Sequence, residues 1–304
     1  MKRIGLWATG IGVLISIGLL IVEQGYTQEK EHATTYTTPS STRPTFPDLA
    51  YADKSPAQKL DLYLPAQANG PAPVVIWIHG GGFRVGDKNS MPRRQFGPPP
   101  TLVGRDGPYQ IQVPDVAALT AKGYAVVSLN YRLGTSISAE AVAAVQDGKA
   151  AVRFLRANAG KYQLDSNRFA VWGNSAGGYM AAMLGVTGDQ STVFDDATLG
   201  NADASSAVQA VVVWFGAVDR LPGEELRITR YLSIAKTLPA FLITNGDADP
   251  LISPIQAQRL HDALTKAGAT STLTILRGAG HEDPAFMATQ MIPTFAFLDK
   301  TFGR

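Results

Sequence analysis

The sequence predicts an α/β fold: a mainly parallel, doubly wound sheet of about eight strands with helices on both faces. Three observations predict it. From residue 49 onward, short apolar runs alternate with helix-length amphipathic stretches. The later runs show little in-and-out alternation, as expected of strands covered on both faces. At 304 residues and 45% hydrophobic content, the chain has ample apolar material for one large core.

The elements are taken in chain order. Lys2 and Arg3 precede Ile4 to Val22, nineteen residues without a charge. A basic start followed by an apolar segment is the pattern of an export signal. As a helix it would reach roughly 28 Å, nearly a bilayer core. No A-x-A site follows, and Gly25-Tyr26-Thr27 is the best small-residue alternative. Residues 1–27 are therefore read as a signal peptide or a retained signal anchor. Either reading exports the rest of the chain, because the positive end stays inside. Residues 28–48 are polar and rich in Thr, Ser and Pro, a composition that suits a linker. The folded domain is expected over 49–304.

Strands are expected at 59–64, 74–79, 124–130, 168–172, 211–215, 240–244 and 273–276. Helical patterns cover 139–159, where Val145, Gly148, Val152 and Leu155 share a face, and 176–184. A third covers 254–267, with Ile255, Leu260 and Leu264 on one face and Pro254 in the first turn. Residues 90–114 break the alternation. Pro92, Pro98–Pro100, Pro108 and Pro114 mark a long loop, and long loops in compact domains are often functional.

Composition narrows the chemistry. Lys+Arg 27 against Asp+Glu 25 leaves a charge of +2, which argues against an electrostatic search for nucleic acid. Cysteine is absent, so disulfides, thiolate metal sites and a cysteine nucleophile are excluded. Imidazole chemistry has four residues to draw on: His32, His79, His261 and His281.

Gly173-Asn174-Ser175-Ala176-Gly177 stands between an expected strand and an expected helix. A turn that sharp needs small flanking residues. It lifts the Ser175 hydroxyl above the sheet and sets the next helix's amides beside it. His79-Gly80-Gly81-Gly82 directly follows another strand and is far rarer by chance. Three glycines let backbone N–H groups approach a ligand oxygen, and with the amide of Ala176 they would form an oxyanion hole. Serine needs an imidazole to take its proton. His32 lies in the linker, His261 lies mid-helix, and His79 is assigned to holding the glycine loop. His281, in the glycine-rich turn after 273–276, remains. The acid that orients it is expected after 240–244, where Asp249 is preferred, Asp247 is the runner-up and Asp219 a distant third. The order Ser…Asp…His matches the α/β-hydrolase arrangement.

With these residues in hand, the chain resembles the α/β-hydrolase superfamily, and within it the hormone-sensitive-lipase-like and BD-FAE-type bacterial esterases. The matching pieces are His79-Gly80-Gly81-Gly82-Phe83 with Arg84 and Gly86-Asp87-Lys88, and Asn130-Tyr131-Arg132. They continue with Gln146-Asp147 and 150–155, then 173–178, Asp249-Pro250-Leu251 and Gly280-His281. The resemblance implies a serine carboxylesterase with Ser175, Asp249 and His281 as catalytic residues and Gly81, Gly82 and Ala176 as oxyanion donors. It also marks His79, Phe83, Asn174 and Tyr131 as lining the substrate. No cofactor or metal is implied. The expected partner is a small-molecule or polysaccharide-linked ester, with acetyl or feruloyl esters of carbohydrates in view, and a membrane tether through residues 4–22.

Two departures from the hormone-sensitive-lipase pattern stand out. A linker occupies the place of an N-terminal helical cap, so an open site is expected. Only twenty residues separate Asp219 from residue 240, which suggests a shallow acyl pocket that loop 90–114 could wall. The competing readings are a serine peptidase or amidase, and a non-catalytic binding protein on a hydrolase fold.

Overall fold

The computed structural model describes residues 43–67, 70–89, 115–235 and 237–304. The apolar segment 4–22, residues 28–42 of the expected linker with His32, and the whole of loop 90–114 lie outside them. In order, the elements are β1 (Phe46–Ala50), β2 (Lys59–Tyr63), β3 (Ala72–Ile78), α1 (Val116–Ala121), β4 (Ala125–Leu129), α2 (Ile137–Ala157) and α3 (Ala159–Tyr162). Then follow β5 (Leu164–Asn174), α4 (Ala176–Thr187), β6 (Ala210–Trp214), α5 (Ile228–Leu232), β7 (Ala240–Gly246), α6 (Pro254–Lys266), β8 (Ser271–Leu276) and α7 (Ala285–Phe302).

The strands form one eight-stranded sheet in the order β1-β2-β4-β3-β5-β6-β7-β8. β2 pairs antiparallel with β1 and β4. All pairings from β4 through β3 to β8 are parallel. Successive side chains on a strand point to opposite faces. Ile76, Val171, Val213 and Ile243 therefore pack with α2, α4 and α6, while Val75, Trp77, Trp172, Trp214 and Leu242 pack with α1 and α7. Both faces are covered, which is why these strands read as continuous apolar runs. On the α7 side the indoles of Trp77, Trp172 and Trp214 meet edge-to-face at 5.7 and 4.9 Å.

Three expectations are corrected. Residues 46–48 belong to β1 rather than to the linker: Leu64 N–H donates to Thr45 Oγ1 (3.0 Å) and Phe46 packs on Tyr162 at 5.1 Å. Ile255 does not share the buried face of α6; it is half exposed, and Ala257 joins Leu260 and Leu264 instead. Helices α1 and α7 add to the patterns read from the sequence.

This topology also sets where a ligand can sit. The chain leaves β3 through α1 on one face of the sheet to reach β4. It then leaves β4 through α2 on the other face to reach β5. The segments that follow β3 and β5 thus diverge at the carboxyl ends of two adjacent strands, and the crevice between them is where open α/β sheets bind ligands.

Candidate active site

Ser175 sits at that crevice, between β5 and α4. Its backbone has φ +51° and ψ −116°, a strained conformation for a residue with a side chain. The turn is held by the Ser175 N–H, which donates to the Trp214 carbonyl (3.0 Å). Gly177 is required by proximity: a Cβ there would stand 2.0 Å from the Ile78 carbonyl oxygen. That closeness brings the first turn of α4 against the end of β3, so the glycine loop and Ser175 become neighbours. α4 is buried along its whole length and aims its positive N-terminal end at Ser175.

The loop after β3 turns tightly. Gly81 has φ +105°, and the N–H groups of Arg84 and Val85 donate to its carbonyl at 3.1 and 3.2 Å. Among the described residues, the N–H groups of Gly80, Gly81 and Gly82 have no acceptor. His79 is fully buried. Its Nδ1–H donates to the Gly80 carbonyl (2.7 Å), and its ring stacks on Tyr131 at 4.4 Å. Burial lowers its pKa to about 4, against the upward pull of the Gly80 hydrogen bond and of Asp87, so it is neutral at pH 7. The Tyr131 hydroxyl donates to the carbonyls of His79 (2.9 Å) and Gly80 (3.2 Å). The far end of the loop is fixed by Lys88, whose ammonium contacts Asp61 (2.8 Å) and Asp48 (3.0 Å).

His281 follows β8 and reaches back across the sheet edge. Its Nε2 lies 3.0 Å from Ser175 Oγ, and its Nδ1 lies 2.7 Å from Asp249 Oδ2. A carboxylate can only accept, so Nδ1 carries the proton and Nε2 is left to accept from the serine hydroxyl. The other Asp249 oxygen accepts from the N–H groups of Leu251 and Ile252, both at 2.8 Å. The Phe215 ring packs edge-on against the imidazole at 4.7 Å. Such a chain can pass the serine proton to the imidazole while the buried carboxylate fixes the tautomer and steadies the charge that forms.

The other candidates are placed elsewhere. Asp247 accepts from the Gly278 N–H (2.6 Å) and braces the turn that leads to His281. Asp219 lies in the loop after β6, where its N–H meets Gln256 Oε1 (3.4 Å). His261 pairs with Ser271 on the outer flank of α6 and β8. The expectation that His79, Phe83, Asn174 and Tyr131 line the substrate is not met: each is 2% exposed or less. They lie beneath the glycine loop, with Phe83 edge-on to Tyr131 and Tyr179.

Two supporting residues escaped the sequence reading. Asn245 donates through Nδ2 to the Ile252 carbonyl (3.0 Å) and so ties the Asp249 turn to β7. Phe215 adopts φ +38° to reach the imidazole. The available signal was a polar or aromatic residue closing an apolar strand run, in Thr244-Asn245-Gly246 and Trp214-Phe215-Gly216.

The BD-FAE family model matches residues 60–97 and 105–230, more than half of the chain. The chain belongs to the BD-FAE family. This BD-FAE chain is 25% identical over 261 residues to Esterase LipC of Mycobacterium tuberculosis, covering 77% of the chain and 58% of that protein. It is 24% identical over 270 residues to the isoprenylcysteine alpha-carbonyl methylesterase ICME of Arabidopsis thaliana, covering 77% of the chain and 56% of the relative. The chain thus spans little more than half the length of these curated relatives. Among solved structures, a truncated carbohydrate esterase from gut microbiota superposes with a TM-score of 0.67 at 26% identity, covering 88% of this chain and all of that one. These likenesses and the sheet order agree on an α/β-hydrolase fold.

Proposed function

We propose that the protein is an exported serine carboxylesterase acting through an acyl-enzyme. The observation that carries this reading is the hydrogen-bonded chain Ser175–His281–Asp249 beside loop N–H groups that have no acceptor among the described residues. Ser175 Oγ attacks the ester carbonyl as its proton passes to His281 Nε2. The new C–O bond pushes an electron pair onto the carbonyl oxygen, and the N–H groups of Gly81, Gly82 and Ala176 receive that charge. The alkoxy C–O bond then breaks, and His281 Nε2–H protonates the departing alcohol. Water repeats the sequence: it gives its proton to His281, attacks the acyl carbon, and Ser175 leaves with the proton returned.

For substrate class, the reading favours acetyl or feruloyl esters on carbohydrate alcohols. Its support is the likeness to the gut carbohydrate esterase and, at 28% identity and TM-score 0.67, to a bifunctional GH43-CE protein of Bacteroides eggerthii. Export rests on Lys2, Arg3 and the apolar run that follows them. The test is p-nitrophenyl acetate hydrolysis together with fluorophosphonate labelling. Ser175→Ala is expected to abolish both, and a variant that hydrolyses at the wild-type rate refutes the reaction class.

A further inference from the structure

A cradle built from glycines has an intrinsic weakness. Glycine lets the backbone approach a ligand oxygen, but a Gly–Gly peptide meets little resistance to rotation, and a rotated peptide presents its carbonyl where the N–H should be. Transition-state stabilisation requires donors that are already aimed. Something must therefore hold the peptide planes of residues 79–81.

Two consecutive carbonyls of this segment are held from one side. Tyr131 Oη donates to His79 O at 2.9 Å and, as the longer arm of a three-centre bond, to Gly80 O at 3.2 Å. His79 Nδ1–H donates to the same Gly80 oxygen at 2.7 Å. In a planar trans peptide the C=O and the following N–H point in opposite directions. Drawing the carbonyls of His79 and Gly80 toward Tyr131 turns the N–H groups of Gly80 and Gly81 away from it. On the segment's other flank lies the nucleophile's turn: a Cβ on Gly80 would stand 3.2 Å from Ser175 Cβ.

We propose that Tyr131, with His79 beside it, is the positioning residue of the oxyanion cradle: its hydroxyl clamps two carbonyls so that the Gly81 N–H faces the reacting oxygen. This rests on the esterase reading above and adds a specific division of labour to it. Tyr131 touches no substrate; it acts through the peptide planes of 79–81. The clamp is itself anchored. Tyr131 is fully buried between the His79 ring and Phe83. The next residue, Arg132, donates its backbone N–H (2.8 Å) and Nε (2.9 Å) to Asp147, which also accepts from Gln58 (2.6 Å). Burial pushes the Tyr131 phenol far above its usual pKa, so the hydroxyl keeps its proton across the working range.

Tyr131→Phe tests this by deleting one oxygen and keeping the ring. The expected result with p-nitrophenyl acetate is a fall in kcat of roughly 10- to 100-fold, the scale of weakening one oxyanion donor, with KM nearly unchanged. Rates are expressed per fluorophosphonate-titratable site, which removes any loss of folded protein. Affinity for a trifluoromethyl ketone, whose hemiketal oxyanion occupies the cradle, is expected to fall by the same factor. Wild-type kcat per site, or an unchanged ketone affinity, overturns the proposal. The esterase reading fails separately, if Ser175→Ala keeps its activity. Should Tyr131→Phe not fold, the His79 pair decides. His79→Asn retains a donor for the Gly80 carbonyl and is expected to keep substantially more kcat per site than His79→Ala, whereas equal losses overturn the clamp.

Discussion

Replacing Asp249 by Asn changes one oxygen into an NH2 group and forces a choice that the structure decides. Oδ1 of Asp249 accepts two backbone N–H groups at 2.8 Å, and Oδ2 accepts the His281 Nδ1–H at 2.7 Å. An asparagine has one acceptor for these three donors. Turning its NH2 toward Leu251 and Ile252 would leave one buried and one partly buried N–H group without partners, at about 1–3 kcal/mol for the buried one. Turning its NH2 toward His281 requires only that the ring move its proton from Nδ1 to Nε2. The second arrangement is the cheaper one. It leaves Nε2 protonated and unable to accept the Ser175 hydroxyl proton, so the fold survives and the base is lost. The expected loss in kcat is about 10⁴-fold, the scale known for a wrongly tautomerised base in a serine hydrolase, or about 5 kcal/mol of barrier. The assay is p-nitrophenyl acetate hydrolysis, with thermal unfolding measured in parallel and Asp247→Asn as the control, for which less than a tenfold loss is expected. A loss of less than tenfold in Asp249→Asn would refute the tautomer argument and move the orienting role to Asp247 or Asp219.

The remaining predictions concern the scaffold around the site. Gly177→Ala places a Cβ 2.0 Å from the Ile78 carbonyl, and both partners are backbone, so no rotamer can relieve the clash. It is expected to cost at least about 3 kcal/mol, the upper end of ordinary overpacking, and to separate Ser175 from the glycine loop. A folded, active Gly177→Ala of wild-type thermal stability would contradict the packing described. His79 gives a pH dependence. Folded, it binds its proton more weakly (pKa about 4, against 6.5 unfolded), so the unfolded chain takes up the extra proton as pH falls. Its contribution to stability is complete above about pH 6.5 and is lost toward pH 4, by about 3 kcal/mol. Urea unfolding between pH 4 and 7 reads this out, and His79→Asn is expected to flatten that part of the profile.

Where the sequence is legible, the reason is physical. A central parallel strand buries both faces, so β3, β4, β6 and β7 stand out as apolar runs whatever lies around them. β1 is an edge strand with Pro47 in it and all five of its residues partly or wholly exposed, so composition alone merges it with the linker. α7 carries Pro293 in its interior, a residue that ordinarily argues against a continuous helix. The candidate site was legible for a related reason. Each of its side chains follows the carboxyl end of a strand, and a strand end followed by glycine is a local pattern.

Direction is what local patterns do not carry. Asn174 and Ser175 are adjacent, yet one is sealed in the core and the other meets an imidazole, because the positive φ at Ser175 turns the chain between them. Phe83 stands one residue past the cradle glycines and points into the core against Tyr179. The same holds for the cradle itself. Three glycines announce that a backbone can come close to an oxygen, but they leave open whether it arrives with its N–H or its carbonyl forward. That choice is made by a hydroxyl some fifty residues further along the chain, on Tyr131, in a segment fastened to α2 through Arg132 and Asp147. A motif search ending at the glycines would find the donors and miss what aims them. The same logic explains why a side chain with no route to the substrate can control the rate: it acts on the orientation of a charge-bearing dipole, and a dipole turned away stabilises nothing.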